Sequence, residues 1–152
     1  MSLESVRTFF AENAPDIAVL VTEQSSATVA LAAEAHGVAP AQIAKTICLR
    51  VGEEVVLLVT AGTARLSNRK FKDRFAAKPR MLDAEQVLAA TSHPVGGVCP
   101  FGLPSPLPVY CDVSLRSFEE VVPAAGATNA AVRIAPERMA ALVSGEWVDV
   151  CE

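Results

Sequence analysis

Aromatic side chains are scarce in this chain, at 5% of residues against 51% hydrophobic overall, so its core has to be built from Ala, Val, Leu and Ile. Small aliphatic residues suit helices packed closely on a sheet. Histidine is rarer still. Only His36 and His93 occur, and the four cysteines, Cys48, Cys99, Cys111 and Cys151, form no C-x-x-C pair. A zinc site has neither its ligand number nor its spacing, so no metal and no cofactor are expected, and the cysteines read as reduced thiols. The start, MSLESVRTFF, lacks a basic stretch followed by an apolar run, and no uninterrupted apolar span fits a bilayer. These absences predict a cytoplasmic protein with no membrane contact. The 152 residues suffice to bury a core without disulfides, and no linker divides them, so residues 1–152 are expected to form one domain.

Charge is missing from one long stretch. From Val87 to Cys111 there is no Asp, Glu, Lys or Arg, while five of the ten prolines, Pro94, Pro100, Pro104, Pro106 and Pro108, fall there. Prolines at this density exclude a membrane helix and predict a buried, stiffened loop. At its centre, in TSHPVGGVCPFGL from Thr91 to Leu103, stand Gly96 and Gly97. Two residues without Cβ can turn their N–H groups toward a carbonyl or phosphate oxygen, and they can equally form a plain turn between a helix and a strand. His93, followed by Pro94, suits either a chemical or a structural role. Cys99 has no neighbouring cation to activate it and reads as core filler rather than a nucleophile. His36, before Gly37, fits a helix end, where imidazole interacts well with the dipole.

Cations, by contrast, are concentrated. Between Arg65 and Arg80 the chain carries Arg65, Arg69, Lys70, Lys72, Arg74, Lys78 and Arg80 against the lone Asp73, a local +6 in a chain of net charge −4. Solvated helix faces normally mix signs. A one-signed run points to a phosphate-rich partner, although the overall charge argues against indiscriminate nucleic-acid binding. Ser67 can cap a helix here whose Phe71 and Phe75 bury one side, giving Arg69, Lys70, Lys72 and Arg74 a helical platform.

The remaining elements follow in order. Leu3, Val6 and Phe10 keep helical spacing after a Ser2 cap, and Asn13, Ala14 and Pro15 end that helix. Ile17 to Val21 reads as a strand. Ser25 or Ser26 can cap a helix from Thr28 to His36, closed by Gly37. A short turn after Pro40 leads to the strand KTICLRV, a turn at Gly52 and Glu53, and the returning strand EVVLLVTA. Asp83 and Gln86 form a capping box for a helix to about Ala90. Strands are expected at Pro108–Asp112, Glu119–Pro123 and Ala130–Ile134, then a helix from Pro136 and a strand near Trp147–Val150. The pattern predicts an α+β fold with a curved mixed or antiparallel sheet flanked by helices.

Two segments carry a family resemblance: IAKTICLR at Ile43–Arg50 and HPVGGVCPFGL at His93–Leu103, joined by the hairpin and the basic helix. Together with the A-G-x-x-N hairpin at Ala125–Asn129 they resemble the YbaK family, related to the editing insertion of bacterial prolyl-tRNA synthetases. The resemblance implies a free-standing aminoacyl-tRNA deacylase that hydrolyses the ester of mischarged tRNA, with tRNA(Pro) carrying a small non-cognate amino acid as the expected substrate and a prolyl-tRNA synthetase as a partner. It implies catalytic roles for Lys45, Gly96 and Gly97 and substrate contacts from Thr46, His93, Pro100, Phe101, Gly102 and Gly126, while the local charge of the basic run adds expected tRNA contacts from Arg69, Lys70, Lys72 and Arg74. Two departures bear on specificity. Members resembling cysteinyl-tRNA(Pro) deacylases carry Tyr and Asp where this chain has Thr22 and Ala131, and the alanine-specific branch has Asn where this chain has Thr46. A non-catalytic module that binds a tRNA end or a nucleotide and recruits or regulates a synthetase would carry much the same sequence.

Overall fold

Gly52, at φ 63°, takes the left-handed conformation that two-residue hairpin turns favour, and it joins β2 (Ile43–Val51) to β3 (Glu54–Ala61). Eight paired positions, from Val51↔Glu54 to Ala44↔Ala61, make this hairpin the longest ladder of the fold. The structure is a computed structural model that describes residues Ser2–Glu152. Around the hairpin the sheet runs β4 (Arg80–Met81), β2, β3, β5 (Val109–Asp112), β8 (Glu146–Val148). β4 joins β2 antiparallel, while β5 and β8 add in parallel on the other side. β6 (Val122–Pro123) pairs in parallel with the start of β2, on the edge it shares with β4. The sheet is therefore mixed. β1 (Leu20–Val21) and β7 (Ala130–Ala131) form a separate antiparallel pair.

Helices cover both faces. On one, α1 (Ser2–Asn13) presses Val6 and Phe10 onto a core with Phe101, Leu115 and Met139. The Phe10 and Phe101 rings meet at 4.7 Å, so the charge-free loop is anchored by an aromatic that is fully buried. On the other face, α3 (Asn68–Phe75) inserts Phe71 against Leu49, Leu58 and Val148, with Phe75 stacked on it at 4.4 Å. α2 (Val29–His36) packs Ala32 and Ala33 on Ile43, Val122 and Ala131. α4 (Ala84–Thr91) and α5 (Pro136–Leu142) complete the helices. Among the described residues no helix is long and apolar enough to cross a membrane.

Most sequence expectations hold at the level of elements. Ser67 caps α3, Gly37 closes α2, and Asp83 with Gln86 forms the capping box of α4. The corrections are local. Thr28, not Ser25 or Ser26, caps α2, because the Ser26 hydroxyl is drawn to the Thr128 carbonyl 102 residues away. Ser2 starts α1, but its hydroxyl reaches across to the Gly126 carbonyl and His93. The strand expected at Ile17–Val21 shrinks to Leu20–Val21, and that at Ala130–Ile134 to Ala130–Ala131 with bridges beyond. Each has a partner for only two paired positions, and a strand persists only as far as its ladder.

Candidate functional site

The edge of β2 opposite β3 is covered in two places and open between them. Leu57 donates its N–H to the Pro108 carbonyl and Ala61 donates to the Ser114 hydroxyl, both away from β2. They are thus non-hydrogen-bonded partners in the β2–β3 ladder, and by its two-residue alternation so is Val59 between them. Their opposites, Cys48, Ala44 and Thr46, turn their own N–H and C=O groups to the far edge. There β6 covers Ala44, and the Cys48 carbonyl lies 3.5 Å from the Leu82 N–H at the end of β4. Thr46 faces neither strand. Its Oγ1 is also buried without a hydrogen-bond partner among the described residues. One residue therefore leaves a backbone donor and acceptor at a gap in the sheet, with an unpartnered hydroxyl buried beside them.

That gap opens into a cavity of about 280 Å³. Ala27, Val29 and Ala32 wall it on the α2 side, Val95, Gly96 and Val98 on the side of the glycine turn, and Ala130 and Ala131 at the back. Short aliphatic side chains leave room for a small group, and the polar lining is confined to Ser26, Thr28, Lys45 and Thr46. Gly96 fits here because of a close approach: at φ 93°, a Cβ on it would lie 2.9 Å from that of Ala27. No acceptor among the described residues takes the Gly96 N–H. Gly97 is placed differently. Its N–H donates to the Pro94 carbonyl at 2.8 Å, its carbonyl accepts from Gly126 at 2.9 Å, and it packs on the Ala127 backbone behind the cavity wall.

Lys45 lines the cavity as well, but side chains alternate along a strand, so it leaves the sheet on the face opposite Thr46. Its ammonium donates to the carbonyls of Gly62 (3.2 Å) and Ala64 (2.8 Å), just after β3. The structure thus brings together Lys45, Thr46 and Gly96 around one opening. His93, Pro100, Phe101, Gly102 and Gly126 form the shell behind it. Gly102 and Gly126 allow the loop backbone to touch α1, where an added Cβ would stand 2.7 Å from backbone atoms of Ser5 and Ser2 respectively.

His93 is fully buried, with Nε2 2.7 Å from the Phe101 carbonyl and Nδ1 2.8 Å from the Ser2 hydroxyl. A carbonyl only accepts, so Nε2 carries the proton and donates. Burial holds the imidazole below its ordinary pKa of 6.5. The unfolded chain therefore binds the extra proton first, so the His93 contribution is complete above about pH 6.5 and declines as the pH falls toward the folded-state value. His36 is depressed by burial in the same sense. His93→Gln is accordingly expected to flatten, not abolish, the fall in Tm between about pH 7 and about pH 5; an unchanged slope in thermal melts would rule His93 out as its source. Cys99, 3.5 Å from His93 Nε2, is fully buried and its thiol is pushed up to about 12, which leaves no thiolate for nucleophilic attack.

The aminoacyl-tRNA editing domain model matches residues 23–142, which include the β2 edge, the glycine turn and the late hairpin. The chain belongs to the aminoacyl-tRNA editing domain family. It is 45% identical over 154 aligned residues to the uncharacterized protein YwhH of Bacillus subtilis (strain 168), covering 100% of this chain and 98% of that one. Among solved structures, a candidate trans-editing enzyme for prolyl-tRNA synthetase superposes with a TM-score of 0.91 at 28% identity, over 99% of this chain and 97% of that chain. The hypothetical protein APE2540 does so at 0.89 and 28%, over 97% and 99%.

On this editing domain the basic helix is half engaged. Lys70 bonds Asp149 at 3.1 Å and the Cys151 carbonyl at 2.8 Å, and Arg74 pairs with Glu146. Arg69 and Lys72 meet no carboxylate among the described residues. Sequence reasoning singled out Ala131 but missed the other walls of the cavity, because Ala27, Val29, Ala32 and Val95 carry no chemical signal and are gathered by the fold. It also missed β4, two residues long behind Pro79, too short to show an alternation.

Proposed function

We propose that this editing domain acts in trans as a deacylase, hydrolysing the ester between tRNA(Pro) and a small aliphatic non-cognate amino acid, with the whole chain serving as one functional unit. The observation that carries the reading is the open β2 edge at Thr46, set in an alanine- and valine-lined cavity beside Gly96. An aminoacyl ester is already activated, so catalysis requires a placed water and stabilisation of the developing oxyanion rather than a nucleophilic side chain. The N–H groups of Thr46 and Gly96 are the donors available for that oxygen. Water adds to the carbonyl carbon, the bond to the ribose oxygen breaks, and the proton passes to that oxygen, yielding free amino acid and tRNA. A terminal hydroxyl of the tRNA assists the water. Lys45 positions the wall of the site.

Ala131, with Ala130 and Ala27 beside it in the lining, favours an aliphatic rather than a polar side chain in the cavity. A synthetase discriminates one methylene by only about 1–3 kcal/mol, so a second, smaller sieve has a purpose. The test is a panel of tRNAs, each charged with a wrong amino acid, incubated with purified protein. Small aliphatic residues on tRNA(Pro) should be released and large aromatic ones spared. Binding of tRNA with no release from any member of the panel would replace the deacylase with a non-catalytic tRNA-end module.

A further inference from the structure

On β2, the side chains of Ala44, Thr46 and Cys48 share one face at the cavity, and the next residue of that row is Arg50. It lies about 13 Å along the strand from Thr46, at roughly 3.3 Å per residue. Directly opposite, on β4, stands Arg80. Two cations facing each other across a ladder repel, and such pairs destabilise a sheet. Neither has a carboxylate within ion-pair distance among the described residues. Arg50 donates only to the Glu53 carbonyl, at 3.4 Å, and the nearby Asp83 carboxylate accepts from Gln86 in its capping box. Five other cations of the chain, Lys70, Arg74, Arg116, Arg133 and Arg138, do have acidic partners. Between the arginine pair and the cavity lie Leu82 and Met81, the latter 72% exposed at the mouth. The sheet thus runs from a doubled positive charge, past an apolar lip, to the polar gap at Thr46.

We infer that the Arg50–Arg80 pair is a phosphate seat for the single-stranded 3′ end of tRNA, holding the backbone upstream of the terminal nucleoside while Met81 covers an apolar base face. Guanidinium groups suit the task, since each presents a planar fork of donors to phosphate oxygens. Phosphate charge between the two arginines turns their mutual repulsion into shared attraction. This inference rests on the deacylase reading for the identity of the strand. It places the strand along β4 and the far end of β2, whereas the ion-paired flank of α3, with Lys70 and Arg74, lies toward β8.

The test uses a fluorescein-labelled single-stranded RNA of about eight nucleotides ending in the tRNA 3′ sequence, a length within the usual single-strand site size. Binding is followed by anisotropy over a salt series, with wild type, Arg50→Gln/Arg80→Gln and, as a charge control, Arg7→Gln on the remote α1. The double variant should bind about tenfold more weakly at low salt and flatten the log–log salt slope by about 1.4, near 0.7 for each phosphate that is no longer neutralised. Arg7→Gln should leave the slope as it is. Without RNA, the double variant should melt no lower than wild type, because a repulsive pair has been removed. A wild-type slope in the double variant, an equal flattening by Arg7→Gln, or no RNA binding by wild type would each overturn the phosphate seat. Wild-type protein that shows the expected slopes but hydrolyses no aminoacyl ester would leave the seat standing and remove the deacylase. Hydrolysis that persists with an unmoved slope would do the reverse.

Discussion

Lys45→Ala is expected to remove nearly all turnover on a mischarged tRNA, by about 10³-fold, the upper range for losing one well-placed polar contributor to an active site. The reason lies in what its ammonium holds. It donates to the Gly62 and Ala64 carbonyls, and Gly62 is wedged where an added Cβ would stand 2.8 Å from Val29 Cγ1 and 3.2 Å from Ile43 Cβ. Val29 and Ile43 both line the cavity. Without the ammonium, two carbonyls lose a charged donor and the turn behind that wall loosens, at about 1.5–3 kcal/mol for a hydrogen bond to a charged group. The alanine variant should therefore stay folded with a lowered Tm and a collapsed kcat. Lys45→Arg separates support from contact with substrate. An arginine fork can satisfy both carbonyls, so a role confined to holding the turn predicts that Tm and turnover recover together, whereas recovery of Tm alone would assign the ammonium a second contact, with the substrate. Near wild-type kcat in the alanine variant, measured on a confirmed substrate with the circular-dichroism spectrum unchanged, would sink the role of Lys45.

How far the sequence could lead depended on whether a residue acts alone or through neighbours distant in the chain. Caps and turns were legible because their chemistry is local: Ser67, the Asp83–Gln86 box, Gly37 and Gly52 each act within a few residues of themselves. Lys45, Thr46 and Gly96 were legible as a motif, and the fold gathers them at one opening. Their division of labour was not. Whether the free edge of β2 falls at Thr46 depends on where β4 and β6 stop, and both are two-residue strands fixed by partners far along the chain. The basic run showed the same limit. Its charge was countable, but that Lys70 and Arg74 are tied to Asp149 and Glu146, more than seventy residues on, follows from the packing of α3 beside β8.

Gly97→Val should lower both stability and turnover, and the combination distinguishes what this glycine is for. A backbone donor facing the substrate would make the variant a folded protein with reduced kcat alone. The geometry gives another expectation. A Cβ at Gly97 would stand 2.7 Å from the Ala127 nitrogen, 2.8 Å from its carbonyl carbon and 2.9 Å from its Cα. Backbone cannot swing aside as a side-chain tip can. The two segments are moreover tied by the Gly126 N–H to the Gly97 carbonyl, while the Gly97 N–H is committed to Pro94. A β-branched residue must therefore part the glycine turn from the late hairpin, losing about 1 kcal/mol for that hydrogen bond and about 1–3 kcal/mol for overpacking. The same movement carries away Gly96 on one side and Ala130 and Ala131 on the other, which are cavity walls. Gly97→Ala should already lower Tm, since the first added carbon makes the clash, and valine should lower it further with a loss of kcat in step. If Gly97→Val melts like wild type while kcat falls, close packing is the wrong account and the amide of Gly97 acts at the substrate.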